Sequence, residues 1–258
     1  MRVLRYCAFG LFLLSQFHCG TSRLSVYPRF LALRDSISPV TVLVDCAVVD
    51  GVIGDTDKID IPENRSIADS VLRLCADSLA GKGYRVRSGL LTSMGLLMRT
   101  DVVYKIARTV PDDDLSPADL PKATAPFYLD ESLSRDTLLP RLISVYSTLI
   151  NLPEKKEETR AVIPDAVRLG RTEGQGGALL VLFVGGYNMP VGKGVNEAGT
   201  LASHAIALQR ISQLSMLMFL IDSRSGEVIW DDRRYVRGGI IHAEKIHSMA
   251  ADLLDELP

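Results

Sequence analysis

The sequence predicts an α/β fold in which helices pack on a mixed β-sheet, as one domain with long loop insertions. Three observations predict it: a strand–helix–strand pattern at residues 39–88, a nearly continuous apolar run at 177–186, and two patterned strands at 216–232. The chain has 258 residues, 47% of them hydrophobic and 23% charged. It is therefore long enough to bury a core without metals or disulfides.

The first 18 residues have the layout of a secretory signal peptide. Arg2 and Arg5 precede the apolar run CAFGLFLL, after which the chain becomes polar. An apolar run of about 7–15 residues after a basic start is typical of export signals, whereas a membrane-spanning helix needs about 20. We therefore predict an exported envelope protein, with residues 19–38 as an extended lead-in or tether to a domain at 39–258.

Cys19 follows the signal region and is the candidate lipidation site. Bacterial lipoproteins carry a diacylglycerol on a cysteine at the cleavage point, and the segment LLS with the later Cys19-Gly20 is similar to that signal. The places for leucine and a small residue are held by Gln16 and His18. Two outcomes stay open: a lipid anchor on the periplasmic side of the outer membrane, or cleavage nearby and a periplasmic or secreted protein.

A strand–helix–strand unit opens the domain. Residues 39–49, PVTVLVDCAVV, are rich in β-branched residues and predict a buried strand, followed by a solvated, aspartate-rich loop. Residues 66–83 predict a helix with Ser66 as its N-cap, because apolar residues recur every fourth position. YRVRS, residues 84–88, then alternates as a strand does. This order predicts two parallel strands with the helix packed over them.

Two of the four cysteines fall in this unit. Cys46 lies on the first strand and Cys75 on the apolar stripe of the helix, so both are expected to face one core layer. They are a candidate disulfide in an oxidising compartment, and otherwise two buried thiols. The sequence has no C-x-x-C pair, so we expect no cysteine-based zinc or redox site.

The middle of the chain alternates between loops and regular elements. Residues 111–132 concentrate prolines and acids and residues 153–165 begin with a charged run, so both are predicted to be surface insertions. Between them, residues 135–151 predict a helix with Pro140 in its first turn. GALLVLFVGG, residues 177–186, predicts a central strand buried on both faces.

A glycine-rich segment, GGYNMPVGKG, ends that strand and continues beyond it. A phosphate-binding loop has four residues between its first glycine and a Gly-Lys pair, and Ser or Thr follows the lysine. Here five residues separate Gly186 from Gly192, and Gly194 stands in place of the hydroxyl residue. We therefore expect a flexible loop and no nucleotide cofactor. LASHAIALQR, residues 201–210, then predicts a helix, and LSMLMFLID, residues 214–222, predicts a strand.

LIDSRSGEVIWDD, residues 220–232, predicts a β-hairpin. Ser-Arg-Ser-Gly forms a four-residue loop, with Gly226 where a positive φ is needed. Asp222 is expected to accept hydrogen bonds from the turn amides, and Trp230 belongs to the alternating strand after the turn. These three residues are predicted to have a structural role.

The pairs that follow the hairpin are acidic and then basic. Asp231 and Asp232 precede Arg233 and Arg234, a pattern that is typical of a solvated strand edge. We therefore expect no carboxylate pair for acid–base catalysis here. The chain ends in a predicted helix whose apolar face consists of Ile246, Met249, Ala250, Leu253, Leu254 and Leu257.

No catalytic or metal site is predicted. His242 and His247 would lie about 140° apart on a helix, which is poor geometry for binding one metal ion. The sequence has no G-x-S-x-G motif for a nucleophilic serine. With 29 basic and 31 acidic residues, the net charge of −2 does not suit a surface built for nucleic acid.

Three of these segments, in order, resemble a group of bacterial envelope lipoproteins. The group includes the curli secretion protein CsgG, the penicillin-binding-protein activator LpoB and the amino-terminal domain of TolB. AGKGYRV, GALLVLFVGGY and the Asp222, Gly226, Trp230 hairpin are similar to passages of those proteins. The resemblance implies an α/β sandwich, a lipid anchor and a role in assembling or regulating envelope machinery, and it implies no catalytic residues.

The leading hypothesis is a non-enzymatic envelope lipoprotein that acts by contact with other envelope proteins, with a homo-oligomer as one assembly it can adopt. One alternative is an exported, hydrolase-like enzyme whose site is built from loop residues such as Asp222, Lys193 and His204. The other is a subunit of an outer-membrane secretion complex. Residues 111–132 and 153–165 lack the long alternating strands that a pore of the CsgG type requires.

Overall fold

The computed structural model describes residues 21–26, 36–52, 56–107, 120–134, 137–152, 161–172, 177–189 and 212–257. These residues form a single α/β domain with one large mixed sheet of ten strands and four helices packed on it, which confirms the predicted fold class. Among these residues, no helix combines the length and the apolar character that a membrane crossing requires.

The strands and helices have the following bounds. The strands are β1 Thr21–Val26, β2 Val40–Asp50, β3 Lys58–Ile59, β4 Val86–Met94, β5 Val103–Ile106, β6 Lys122–Thr124, β7 Tyr128–Leu129, β8 Ala178–Asn188, β9 Gln213–Asp222 and β10 Val228–Arg237. The helices are α1 Ile61–Gly81, α2 Leu139–Ile150, α3 Pro164–Thr172 and α4 Ala243–Asp255.

The sheet combines parallel and antiparallel pairs. Its main path runs β1-β10-β9-β8-β2-β3-β5-β6, and β4 pairs with β2 and β7 off this path. The pairs β2–β8, β2–β4 and β3–β5 are parallel, and the remaining pairs are antiparallel. The long strands β2, β8 and β9 therefore form the centre of the sheet, as the apolar runs in the sequence predict.

The predicted strand–helix–strand unit is β2-α1-β4, with Val40 opposite Val86 in parallel register. The helix begins earlier than predicted, because its N-cap is Asp60 and not Ser66. The Asp60 carboxylate accepts a hydrogen bond from the Glu63 amide at 2.7 Å, and a proline lies in the first turn, where its fixed φ suits a helix start. The sequence did not predict this turn because the apolar repeat begins only at Ile67.

Helices cover both faces of the sheet, so the domain has three layers and two main cores. Even-numbered residues of β2, such as Val42, Val44 and Cys46, pack in the core beneath α1 and α4. Leu43 packs in the opposite core, beneath α2 and α3. The predicted helices with Pro140 in the first turn and with the final apolar face are α2 and α4, and both predictions are confirmed.

Strand β10 is internal to the sheet, so the prediction of a solvated strand edge is wrong. Residues 21–26, expected as an extended lead-in, form β1 and pair antiparallel with β10 along its outer side. Asp232 is fully buried and its carboxylate lies 3.5 Å from Arg234 Nε. Arg233 is also buried, lies over the Phe219 ring and donates to the Leu152 carbonyl at 3.2 Å. The neighbouring opposite charges are thus internal ion pairs.

The predicted insertions contain regular structure where they are described. Strands β6 and β7 lie within residues 120–134, and Leu120, Ala125 and Leu133 there are buried. This part of the 111–132 segment therefore contributes strands and buried side chains to the domain, whereas the sequence predicted a surface insertion without regular elements. The second insertion ends in α3, which begins at Pro164.

Candidate functional site

The predicted hairpin joins β9 to β10, and Asp222 stabilises its turn. The Asp222 carboxylate accepts hydrogen bonds from the Arg224 amide at 3.2 Å and from Ser225 Oγ at 2.8 Å. Gly226 has φ +74°, and a Cβ added there would fall 2.5 Å from the Ile163 carbonyl oxygen. Both carboxylate oxygens of Asp222 are therefore used within the turn, which fits a structural role.

Trp230 is fully buried and packs in the core beneath α1 and α4. It has a structural position, at the centre of the domain and away from solvent. The hairpin motif that the sequence singled out is thus a folding feature, and the candidate site lies elsewhere.

Cys46 and Cys75 are free thiols in the same core, so the shared core layer is confirmed and the candidate disulfide is not formed. Cys46 Sγ instead makes a long contact of 3.9 Å with Asn64 Oδ1. Burial raises the pKa of the Cys46 thiol, with a smaller contribution from the neighbouring Asp45 charge, and raises the pKa of Cys75 to about 12. Both thiols are therefore expected to be chemically inert at neutral pH.

Several predicted positions lie outside the described residues. These are the signal peptide at 1–18, the lipidation candidate Cys19, the 201–210 helix, and the loop residues Lys193 and His204. His242 is described and is the N-cap of α4, where its Nδ1 accepts a hydrogen bond from the Lys245 amide at 3.3 Å. Within the described ranges, no group of three or more His, Cys, Asp or Glu side chains is arranged to hold a metal ion.

A cleft of about 990 Å³ opens on the sheet face that carries α2 and α3. It lies near the carboxyl ends of the parallel strands β2, β4 and β8, the position at which open α/β sheets bind ligands. Its lining residues are Asp45, Ala47, Val49, Asp57, Leu97, Met98, Tyr104, Ile150, Phe183, Val184, Gly185, Gly186, Tyr187, Gln213, Leu214, Ser215, Leu217, Tyr235, Val236 and Arg237.

The floor of this cleft is a row of small residues across three adjacent strands. Ala47 of β2 is the register partner of Gly185 of β8, and Gly185 is the partner of Ser215 of β9. We call this row the trough. Neighbouring strands lie about 4.8 Å apart, so the trough spans about 10 Å across the sheet.

Larger residues occupy the rows on either side of the trough. Phe183 and Leu217 form the row toward α2, and Tyr187 and Gln213 form the row toward the strand ends. Each of these rows lies about 7 Å from the trough, because residues two apart on a strand share a face. A Cβ added at Gly185 would lie 3.2 Å from Ser215 Oγ, so a larger side chain there would fill the trough.

The walls of the cleft are mostly apolar, and the Tyr187 side chain in one wall is held in place by its contacts. Ile150, the last residue of α2, remains 39% exposed at the cleft. The Tyr187 hydroxyl lies 3.3 Å from Asp57 Oδ1, and its ring lies so close to Gly51 that a Cβ there would fall 2.2 Å from the hydroxyl oxygen. A larger residue at position 51 would therefore require the Tyr187 side chain to move.

Asp45 is a buried carboxylate in the lining of the cleft. It is 7% exposed, and its Oδ2 accepts hydrogen bonds from Ser93 Oγ at 2.6 Å and from the Leu96 amide at 3.1 Å. Burial raises the pKa of Asp45, and these hydrogen bonds oppose the shift. The Leu96 contact also holds the turn that presents Leu97 and Met98 to the cleft.

Sequence reasoning did not find this site. Asp45 was the one charged residue inside the apolar run of residues 40–49, and Gly185 ended the second apolar run. Both were visible signals, but each also fits a buried strand and a strand end. Only the pairing of the strands brings the three floor residues together. Chemically, the cleft can bind an apolar segment and has one buried carboxylate with which to orient it.

No protein-family model and no curated protein matches the chain. Two similar solved structures are PelC dodecamers from Paraburkholderia phytofirmans. The first is 13% identical, covers 92% of this chain and 96% of that chain, and has a TM-score of 0.37. The second, a variant of the same protein, is 14% identical, covers 92% and 97% respectively, and has a TM-score of 0.35. TM-scores this low carry no inference about this chain.

Proposed function

We propose that this protein is an exported, non-enzymatic component of the cell envelope that binds another envelope protein in the trough. Its anchor is a lipid on Cys19, and its role is the assembly or regulation of envelope machinery. The observation that carries the proposal is the row formed by Ala47, Gly185 and Ser215, which leaves an open hollow between rows of larger side chains.

The dimensions and character of the cleft support a binding role. Binding pockets commonly have volumes of about 300–1,000 Å³ with mostly apolar walls and a few placed polar groups. The cleft has a volume of about 990 Å³, apolar walls that include Ile150, Leu217 and Met98, and few charged side chains. This combination suits an apolar segment of a partner protein, with backbone and side chains lying across the strands.

The amino-terminal sequence supports the envelope as the place of action. The basic start, the short apolar run and Cys19 agree with export and anchoring, which would leave the trough facing the periplasm. A protein held at a membrane surface gains effective concentration toward partners at the same surface. Modest affinity in the trough is then sufficient for a regulatory contact.

Filling the trough tests the proposal. We expect Gly185→Leu to remove at least about nine-tenths of the partner recovered by affinity purification from envelope extracts, because the leucine side chain occupies the floor. Gly81→Leu is the matched control, since a Cβ at Gly81, at the end of α1, meets nothing within 4 Å. The full chain with its own leader is used, and partners are quantified by mass spectrometry.

Two results of this purification would contradict the proposal. If Gly185→Leu folds, as judged by its thermal unfolding, and recovers the same partner as the wild-type protein, the trough is not the contact surface. Loss of the partner in both variants would equally contradict the proposal, because the effect would then not depend on the trough.

A further inference from the structure

Asp45 is a buried carboxyl group to which the described part of the chain gives no positively charged partner. Its hydrogen-bond donors are the Ser93 hydroxyl and the amides of Gly95 and Leu96, all of them neutral. None of the ion pairs in the described residues involves Asp45. A buried carboxylate without a cation is costly, because three neutral donors only partly replace its hydration.

The surroundings of Asp45 contain an unsatisfied polar group. The Tyr146 hydroxyl of α2 is fully buried, and it interacts with the Asp45 charge and lies near Ser93. No atom in the described residues meets the geometry of a hydrogen bond to this hydroxyl. The Tyr146 hydroxyl is thus a buried polar group with unused hydrogen-bonding capacity in the surroundings of Asp45.

The position of Asp45 places it beside the trough. Asp45 lines the cleft, and it lies two residues before Ala47 on the same face of β2. It is the register partner of Phe183, the large residue beside the trough floor. A side chain that lies along Ala47 toward the preceding row of β2 therefore approaches the position of Asp45, whose carboxyl group is held by Ser93 and Leu96.

We propose that Asp45 binds the ammonium or guanidinium group of a lysine or arginine side chain carried by the partner segment in the trough. This inference rests on the proposed function and names the chemistry of the partner. Small floor residues accommodate the methylene stem, which packs on apolar surface while its charged end reaches the carboxylate. The resulting hydrogen-bonded ion pair supplies the counter-charge that the fold lacks.

The charge distribution of the cleft also sets the direction of the segment. Arg237 lines the opposite end of the cleft, on β10, three strands away from β2. The lateral separation is about 14 Å at the usual strand spacing. Arg237 repels a cationic side chain at its own end, so the basic residue of the segment is directed to the end where Asp45 and Asp57 lie.

Three matched peptides test this inference on the full-length wild-type protein. Each is a short fluorescent peptide of alternating valine and serine, with lysine, norleucine or glutamate at its centre. Lysine and norleucine have unbranched stems of similar length and differ by the ammonium group. We expect the lysine peptide to bind about tenfold more tightly than the norleucine peptide, and the glutamate peptide most weakly, measured by fluorescence polarisation.

Two variants assign the preference to Asp45. Asp45→Asn keeps an acceptor for Ser93 and Leu96 and removes the charge, so the lysine preference is expected to fall to within about twofold. Asp50→Asn is the control, because Asp50 is on the same strand and borders the other sheet face beside Asn64 and Ile67. It is expected to keep the full preference.

Other results overturn the inference. Equal binding of the lysine and norleucine peptides to the wild-type protein, or binding by neither, contradicts it without any variant. A lysine preference that survives in Asp45→Asn contradicts the assignment. The proposed function is judged separately: if Gly185→Leu loses the envelope partner while Asp45→Asn retains it fully, the trough is the contact surface and the basic side chain is not required.

Discussion

Asp45 links the stability of the domain to pH, because its carboxyl group is buried and its pKa is raised above the ordinary value of 3.8. The folded chain holds this proton more tightly than the unfolded chain does. The contribution to stability is therefore complete below the unfolded pKa and is lost as the pH rises through the higher folded pKa. Above that folded pKa the carboxyl group is charged, and burial of the charge lowers the free energy of unfolding.

We expect this loss to disappear in Asp45→Asn. The free energy of unfolding of the wild-type protein, relative to that of the variant, should fall as the pH rises above the ordinary aspartate pKa of 3.8, measured by urea denaturation at each pH. Asp50→Asn is the control for loss of a carboxylate on the same strand. Curves for the wild-type protein and Asp45→Asn that stay parallel across this range would contradict the account.

The two core thiols make a second prediction at the scale of single residues. Burial raises the pKa of both Cys46 and Cys75. We therefore expect neither thiol to react with iodoacetamide in the folded protein at about pH 7.5, a pH at which exposed thiols react readily. Both should be labelled after unfolding. Peptide mapping by mass spectrometry separates them from Cys7 and Cys19. Rapid labelling in the folded state, or a recovered Cys46–Cys75 disulfide, would show that the core differs from this description.

At the scale of elements, β1 determines whether the charges of β10 are buried. Antiparallel pairing of Thr21–Val26 covers the outer side of β10, next to the buried Asp232 and Arg233. Without β1, β10 becomes an edge strand and these ion pairs gain contact with water. Residues 21–26 are therefore part of the fold and not only a tether.

Proline substitutions in β1 test this role. Adjacent residues in a strand direct their backbone amides to opposite sides, so only one of Leu24 and Ser25 donates a hydrogen bond to β10. Proline has no amide hydrogen, so either Leu24→Pro or Ser25→Pro removes that hydrogen bond. We expect the more damaging variant to lower the free energy of unfolding by at least about 1 kcal/mol. Leu24→Val, which keeps the amide, serves as the control. Thermal unfolding of all three with unchanged midpoints would mean that β1 does not contribute to the sheet.

Local patterns predicted the elements that depend on local physics. The apolar repeat predicts α1 and α4, β-branched runs predict β2 and β8, and a glycine that needs a positive φ predicts the turn before β10. The position of β10 was missed because it depends on a pairing with residues far earlier in the chain. The start of α1 was missed because Asp60 and the proline after it lie outside the apolar repeat.

The trough could be found only from the structure of the whole sheet. Ala47, Gly185 and Ser215 lie on three strands that are distant in sequence, and each is unremarkable within its own strand. Their alignment follows from the parallel register of β2 with β8 and the antiparallel register of β8 with β9. A shift of one residue in either register would turn one of them to the opposite core. The site is therefore a property of the sheet and not of any motif.

The location of the whole molecule is a separate prediction. We expect the mature protein to begin at Cys19 and to carry a diacylglycerol there, so that it fractionates with membranes. Intact-mass analysis of the protein from envelope fractions measures this, and Cys19→Ser should release it to the soluble fraction. An intact leader on a cytosolic protein would contradict both the export signal and the proposed function.

The central claim, that the trough is the surface through which the protein acts, is tested most directly by photo-crosslinking in cells. A photoreactive p-benzoylphenylalanine is introduced in place of Ser215, in the trough floor, or of Ser70, an exposed residue of α1 on the other side of the sheet. We predict one discrete crosslinked envelope protein from position 215 and none from position 70. No crosslink from position 215, or the same product from both positions, would contradict the claim.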